Sequence, residues 1–96
     1  MAAYLIGDIE ITDAVGYDEY RKTVGASIAA FGGRFLVRGG VTVVTEGEWH
    51  PKRVVVVEFP TMERLQAWYA SKEYAPALAM RKRAAVSNLV MVEGVA

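Results

Sequence analysis

The sequence predicts an α+β fold: four antiparallel strands in the order β-α-β-β-α-β, with two helices on one face of the sheet. Three observations predict it. The run Arg53-Val54-Val55-Val56-Val57-Glu58-Phe59 is an unbroken valine block. Such a block fits a central strand that is apolar on both faces, because a half-solvated strand alternates apolar with polar residues. Two stretches with apolar residues every three or four positions, near 14–31 and 62–85, predict helices. Extended patterns at 3–11 and 87–93 predict strands at either end, and right-handed crossovers then place both helices on the same side.

Residues 3–11 alternate Tyr4, Ile6, Asp8 and Glu10 on one side with Leu5, Gly7, Ile9 and Ile11 on the other. That is the period of a strand. Asp13 can accept the free N–H groups of a first helical turn and suits the positive end of the dipole. The helix it starts carries the stripe Tyr17, Tyr20, Val24, Ile28 and Phe31, turns Asp18, Glu19, Arg21 and Lys22 outward, and ends at Gly32-Gly33. Arg34 to Arg38 predicts a second strand with Phe35 and Val37 inward. Gly39-Gly40 predicts a bulge or sharp twist, after which Val41 to Glu46 resumes in extended form. A turn over Gly47 to Pro51 leads into the valine strand, antiparallel to its predecessor. Thr61 can cap a helix bearing Met62, Leu65, Trp68 and Tyr69, which Ser71 and Pro76 break and restart. The restarted helix lines up Tyr74, Leu78, Arg81 and Ala85.

Composition narrows the function. At 96 residues the chain is long enough for one domain. Its apolar fraction of 53% exceeds the roughly 45–50% of globular chains. Helices cover only one face of the sheet, and the valine strand leaves the other apolar, so a homodimer pairing sheet face to sheet face is expected. Eleven basic and eleven acidic residues cancel, which offers no field to attract a polyanion or an anionic membrane. With no cysteine there is no disulfide, thiolate metal site or cysteine nucleophile. The first residues lack a basic region and meet Asp8 early, unlike a signal peptide or a membrane span. A cytoplasmic protein that binds neither nucleic acid nor membrane, and uses no cofactor, is the expectation.

The pieces Gly32-Gly33-Arg34-Phe35-Leu36-Val37-Arg38-Gly39-Gly40, Glu46 to Arg53, Val57-Glu58-Phe59-Pro60, Trp68 to Tyr74 and Arg81 together resemble the bacterial domain-of-unknown-function family thirteen-thirty, across nearly the whole chain. The resemblance implies a ferredoxin-like fold of the dimeric α/β-barrel type and implies no reaction. Lys72 departs from it, since related sequences often carry proline after the serine.

Two polar sets could carry chemistry. Asp8, Arg38 and Glu58 are charges within or at the end of apolar strands. If their parities agree they form a catalytic acid, base and substrate-orienting guanidinium; otherwise they are structural ion pairs or strand-end charges. Tyr69, Tyr74 and Arg81, with Trp68, could wall a substrate pocket in which Arg81 holds a carboxylate. Their bland reading is helix-to-sheet core with a snorkelling arginine. His50 lies at a turn, without a second histidine for a metal site, and Ser27, Ser71 and Ser87 lack the context of a nucleophile. Two functions follow: a cofactor-independent small-molecule enzyme or binder with a pocket between sheet and helices, or a non-catalytic homodimeric structural or regulatory module.

Overall fold

The valine run is a central strand. In the computed structural model, which describes residues 1–96, the chain forms β1 (Ala3–Ile11), α1 (Ala14–Ala30), β2 (Arg34–Arg38), β3 (Val54–Phe59), α2 (Met62–Tyr69), α3 (Ala75–Ala84) and β4 (Ala85–Glu93). The strands make one antiparallel sheet in the order β2-β3-β1-β4. The helices lie against one face, giving a two-layer slab of 36 × 32 × 16 Å.

Parity decides what each strand gives to the core. Leu5 and Ile9 of β1 and Val55, Val57 and Phe59 of β3 point under the helices and are buried, whereas their neighbours Ile6, Val54 and Val56 face the other way and are half-buried. Tyr17, Tyr20, Val24 and Ile28 of α1 and Leu65 and Trp68 of α2 close the inner layer. Both long-range turns of helix are started as the side chains dictate: Asp13 accepts from Gly16 N at 3.2 Å and Thr61 from Arg64 N at 3.1 Å. At the end of α1, a Cβ on Gly33 would meet the Phe59 ring at 2.6 Å, so only glycine lets the chain cross that ring.

The structure corrects several expectations. The sheet is open, with β2 and β4 as free edges, and is not a closed α/β barrel. Four strands, one of them only five residues long, supply far less width than the ~8 a filled barrel uses. Three helices cover the face, because the second helical run divides at the expected break between Ser71 and Pro76. Ser71 Oγ donates to Trp68 O at 2.7 Å and accepts from Tyr74 N at 3.1 Å, ending α2 in a turn, and Pro76 then starts α3 where its missing N–H costs nothing. The segment Val41 to Glu46 is not a strand. It lies in an exposed loop, with Val41 and Val43 100% and 82% accessible, and it pairs with no strand although the β2 edge is free.

The bulge falls between Phe35 and Val37, not at Gly39-Gly40. It reverses the parity of the end of β2. Phe35 pairs with Val57 and turns inward, Val37 pairs with Val56 on the outer face, and Arg38 pairs with Val55 on the helix side. No helix is long and apolar enough to cross a membrane.

Candidate functional site: an aromatic chamber around a buried arginine

Trp68 is the fixed point of the inner layer. Its indole Nε1 donates to Ser27 Oγ at 3.0 Å, and that hydroxyl donates in turn to Val24 O at 2.8 Å, so a serine inside the apolar stripe of α1 orients the ring. Phe59 stands at 5.3 Å from the Trp68 ring, Tyr74 at 4.0 Å and Tyr69 edge-on at 6.0 Å. Arg81, one face of α3 further along, donates through Nε to Tyr74 Oη at 3.3 Å.

Arg81 is only 4% exposed and has no carboxylate partner, since the three ion pairs of the protein all lie elsewhere. A guanidinium cannot shed its proton, so a full charge sits among phenol and indole rings with one protein acceptor, and its terminal nitrogens keep only a narrow contact with solvent. Buried charges are ordinarily paired, because desolvation must be offset by an opposite charge and by hydrogen bonds. Tyr20, Phe35, Trp68, Tyr74, Arg81 and Leu89 surround an enclosed chamber of about 20 Å³, room for about one water molecule. Burial, with Tyr74 beside it, pushes the Tyr20 hydroxyl far above the ordinary phenol range, so it stays a neutral hydrogen-bonding group.

The structure therefore brings Trp68, Tyr69, Tyr74 and Arg81 into one cluster and separates the other set. Asp8 and Glu58 share the outer face but lie at opposite ends of the β1–β3 ladder, Asp8 opposite Val54 and Glu58 opposite Tyr4. Arg38 is on the helix side, where it donates to Arg21 O at 2.8 Å. Each carboxylate has its own partners. Glu58 accepts from Arg34 Nε at 2.9 Å and Tyr4 Oη at 3.0 Å; these bonds, Arg34 first, hold it below the usual carboxylate range. Asp8 accepts from Trp49 Nε1 at 3.1 Å and Lys52 N at 2.9 Å, and the Trp49 bond is the main cause of its lowered pKa. Both are ionised acceptors with their lone pairs engaged, which suits them to fixing structure. Asp8 ties the exposed loop back to β1, over an open groove beside Ile6 and Val90.

Tyr20 and Ser27 belong to the site without having been singled out for it by the sequence. Ser27 carried a signal, a hydroxyl three residues after Val24 on an otherwise apolar helix face. His50 stays exposed in the loop, and no group of three or more acidic or histidine residues is placed to hold a metal ion.

The fold and chamber define a small ferredoxin-like α+β protein with one open sheet and an enclosed inner layer. The chain belongs to the family described as domain of unknown function (DUF1330), whose model matches residues 2–95. Among solved structures it is similar to a protein of unknown function from Rhodopseudomonas palustris, with 18% identity, a TM-score of 0.79, and coverage of 99% of this chain and 83% of that one. It is also similar to SnoaB, a cofactor-independent oxygenase from Streptomyces nogalater, with 11% identity, a TM-score of 0.68, and coverage of 99% and 94%. At these identities the likeness is one of fold. No curated protein matches the sequence.

Because the folded Asp8 carboxylate is more acidic than the free group, its bond to Trp49 stabilises the loop fully above the ordinary aspartate pKa of about 4 and is lost as pH falls through the depressed value. The Trp49 indole N–H resonance is expected to move with acidification below about pH 4, while that of Trp68 stays in place until global unfolding. In Asp8→Asn the acid-dependent movement of Trp49 should disappear.

Proposed function

We propose that the protein is a cofactor-independent small-molecule binder or enzyme whose ligand is an apolar or aromatic carboxylate taken into the chamber between sheet and helices. One observation carries this reading: Arg81 is a buried cation with aromatic walls and no acid of its own. A ligand carboxylate supplies the missing charge, Trp68 and Tyr74 supply stacking surface, and Tyr69 backs both rings from outside the chamber. The chamber has room for about one water, so a ligand of this size requires its walls to move apart. The description of SnoaB as a cofactor-independent oxygenase supports a role of this class by analogy of fold. Asp8 and Glu58, each occupied by its own donors, are assigned to structure, and Arg38 to the basic surface beside the chamber.

Benzoate and phenylacetate, tested against benzamide as the uncharged control, distinguish the readings. In a Trp49→Phe background the remaining tryptophan, Trp68, should be quenched saturably by the carboxylates and not by the amide. At ten times Kd the carboxylates should stabilise the protein by about 1.4 kcal/mol. Equal responses to acid and amide, or none to either, would remove the basis for a carboxylate site.

A second observation favours self-association, shared by this reading and by the alternative of a non-catalytic homodimeric module. The outer sheet face exposes Val37, Val86, Val90 and Val92 at 37–60%, and Trp49 beside them at 62%. Total accessible surface is 6045 Å², against ~5,400 Å² for a compact monomer of this mass. We propose that two copies pair through this face. Sedimentation equilibrium at micromolar concentration should give twice 10.5 kDa, and Val90→Lys should halve the mass. A wild-type monomer under those conditions would end this proposal.

A further inference from the structure

Four cationic side chains ring one open cleft of about 330 Å³ that no apolar side chain lines: Arg21 and Lys22 of α1, Arg38 at the end of β2, and Arg53 just before β3. These are four of the eleven basic residues in a chain of zero net charge. One acid serves them all. Asp18 lies 3.5 Å from Arg21 and 3.2 Å from Lys22, while Arg38 and Arg53 pair with no carboxylate.

A cluster of solvated surface charges would spread apart under mutual repulsion. Here the two unpaired guanidinium groups are held. Arg38 lies 4.1 Å over the Phe35 ring and donates to Arg21 O at 2.8 Å. Arg53 lies 5.5 Å over the Tyr17 ring and donates to Arg38 O at 3.5 Å, and its Nε is buried with no partner at all. Gly39, in the left-handed conformation at φ +74° that favours glycine, brings the chain against the Arg53 guanidinium. Ring stacking, backbone acceptors and a left-handed glycine thus fix cations side by side, at the cost of an unsatisfied buried N–H.

We propose that this cleft binds the phosphoryl dianion of a small phosphorylated molecule. Four cations against one acid leave a local excess of three positive charges. A carboxylate neutralises one of them, whereas a phosphate monoester carries nearly two negative charges at neutral pH and presents three acceptor oxygens. Arginine forks match those oxygens bidentately. The basic residues gather round one shallow, open depression rather than along a stripe of the surface, which suits a single phosphoryl group and not a nucleic-acid backbone. Beneath the cleft a second small space of about 20 Å³ is lined by the same three arginines together with Tyr17 and Tyr20. Tyr20 and Phe35 separate it from the Arg81 chamber. The site goes beyond the chamber reading and does not depend on it.

The test is calorimetric titration of the full chain with inorganic pyrophosphate and with phenyl phosphate at low ionic strength, where exposed charges are least screened. Saturable one-to-one binding is expected for both. Arg38→Gln and Arg53→Gln should each weaken it at least tenfold, and Arg83→Gln, on α3 outside the cleft, should leave it unchanged. Circular dichroism establishes folding of each variant. Arg21→Gln, at an exposed position, replaces any that unfolds and should also weaken binding. Pyrophosphate has no ring, so its binding is read whether or not the chamber accepts a carboxylate. No saturable heat at millimolar pyrophosphate would overturn the proposal. Binding that is indifferent to Arg38→Gln and Arg21→Gln, or lost in Arg83→Gln, would overturn it equally.

Discussion

The alternation of β3 is the constraint from which the architecture follows. Val55, Val57 and Phe59 turn under the helices, and Val54, Val56 and Glu58 turn away, so a single strand separates an enclosed aromatic layer from an uncovered apolar one. Phe59 carries the Trp68 ring, and Trp68 carries Tyr74, whose hydroxyl meets Arg81. On the other side the same strand leaves valines at the surface of an open sheet. The aromatic chamber and the exposed apolar face are thus the two faces of one pleat.

Arg81 sits at the end of that chain of contacts, and its energetics differ from those of the other charges. Asp8 and Glu58 each have donors that stabilise the ionised form, and their lowered pKa values record it. Arg81 has one phenol. A buried ion of this kind weakens the fold that contains it, whereas an apolar side chain of similar length packs the same space without the desolvation cost. Retaining the cation makes physical sense where something else supplies the opposite charge.

Much of this was legible in the chain. Asp13 and Thr61 announced helix starts that the structure confirms atom for atom, and the valine block announced its strand. The aromatic residues and Arg81 were visible on either side of the break at Ser71 and Pro76, and the structure sets them there, with Tyr74 as the residue that begins α3. What was hidden depended on pairing. The bulge beside Leu36 carries no glycine to mark it, yet it sends Arg38 to the opposite side from Asp8 and Glu58 and dissolves the set those three suggested. The run Val41 to Glu46 has strand composition and yet pairs with no strand. Arg38 and Arg53 stand fifteen residues apart, and only the β2–β3 pairing makes them neighbours.

The claim at the centre is that the Arg81 charge is kept for a ligand and not for the fold. Urea denaturation of Arg81→Met measures this directly, since methionine keeps much of the length and removes the charge. The midpoint should equal or exceed that of the wild type, because a largely buried cation without a carboxylate partner is lost. A destabilisation of about 3–5 kcal/mol, the loss typical of breaking a buried structural ion pair, would contradict it and make Arg81 a scaffold residue.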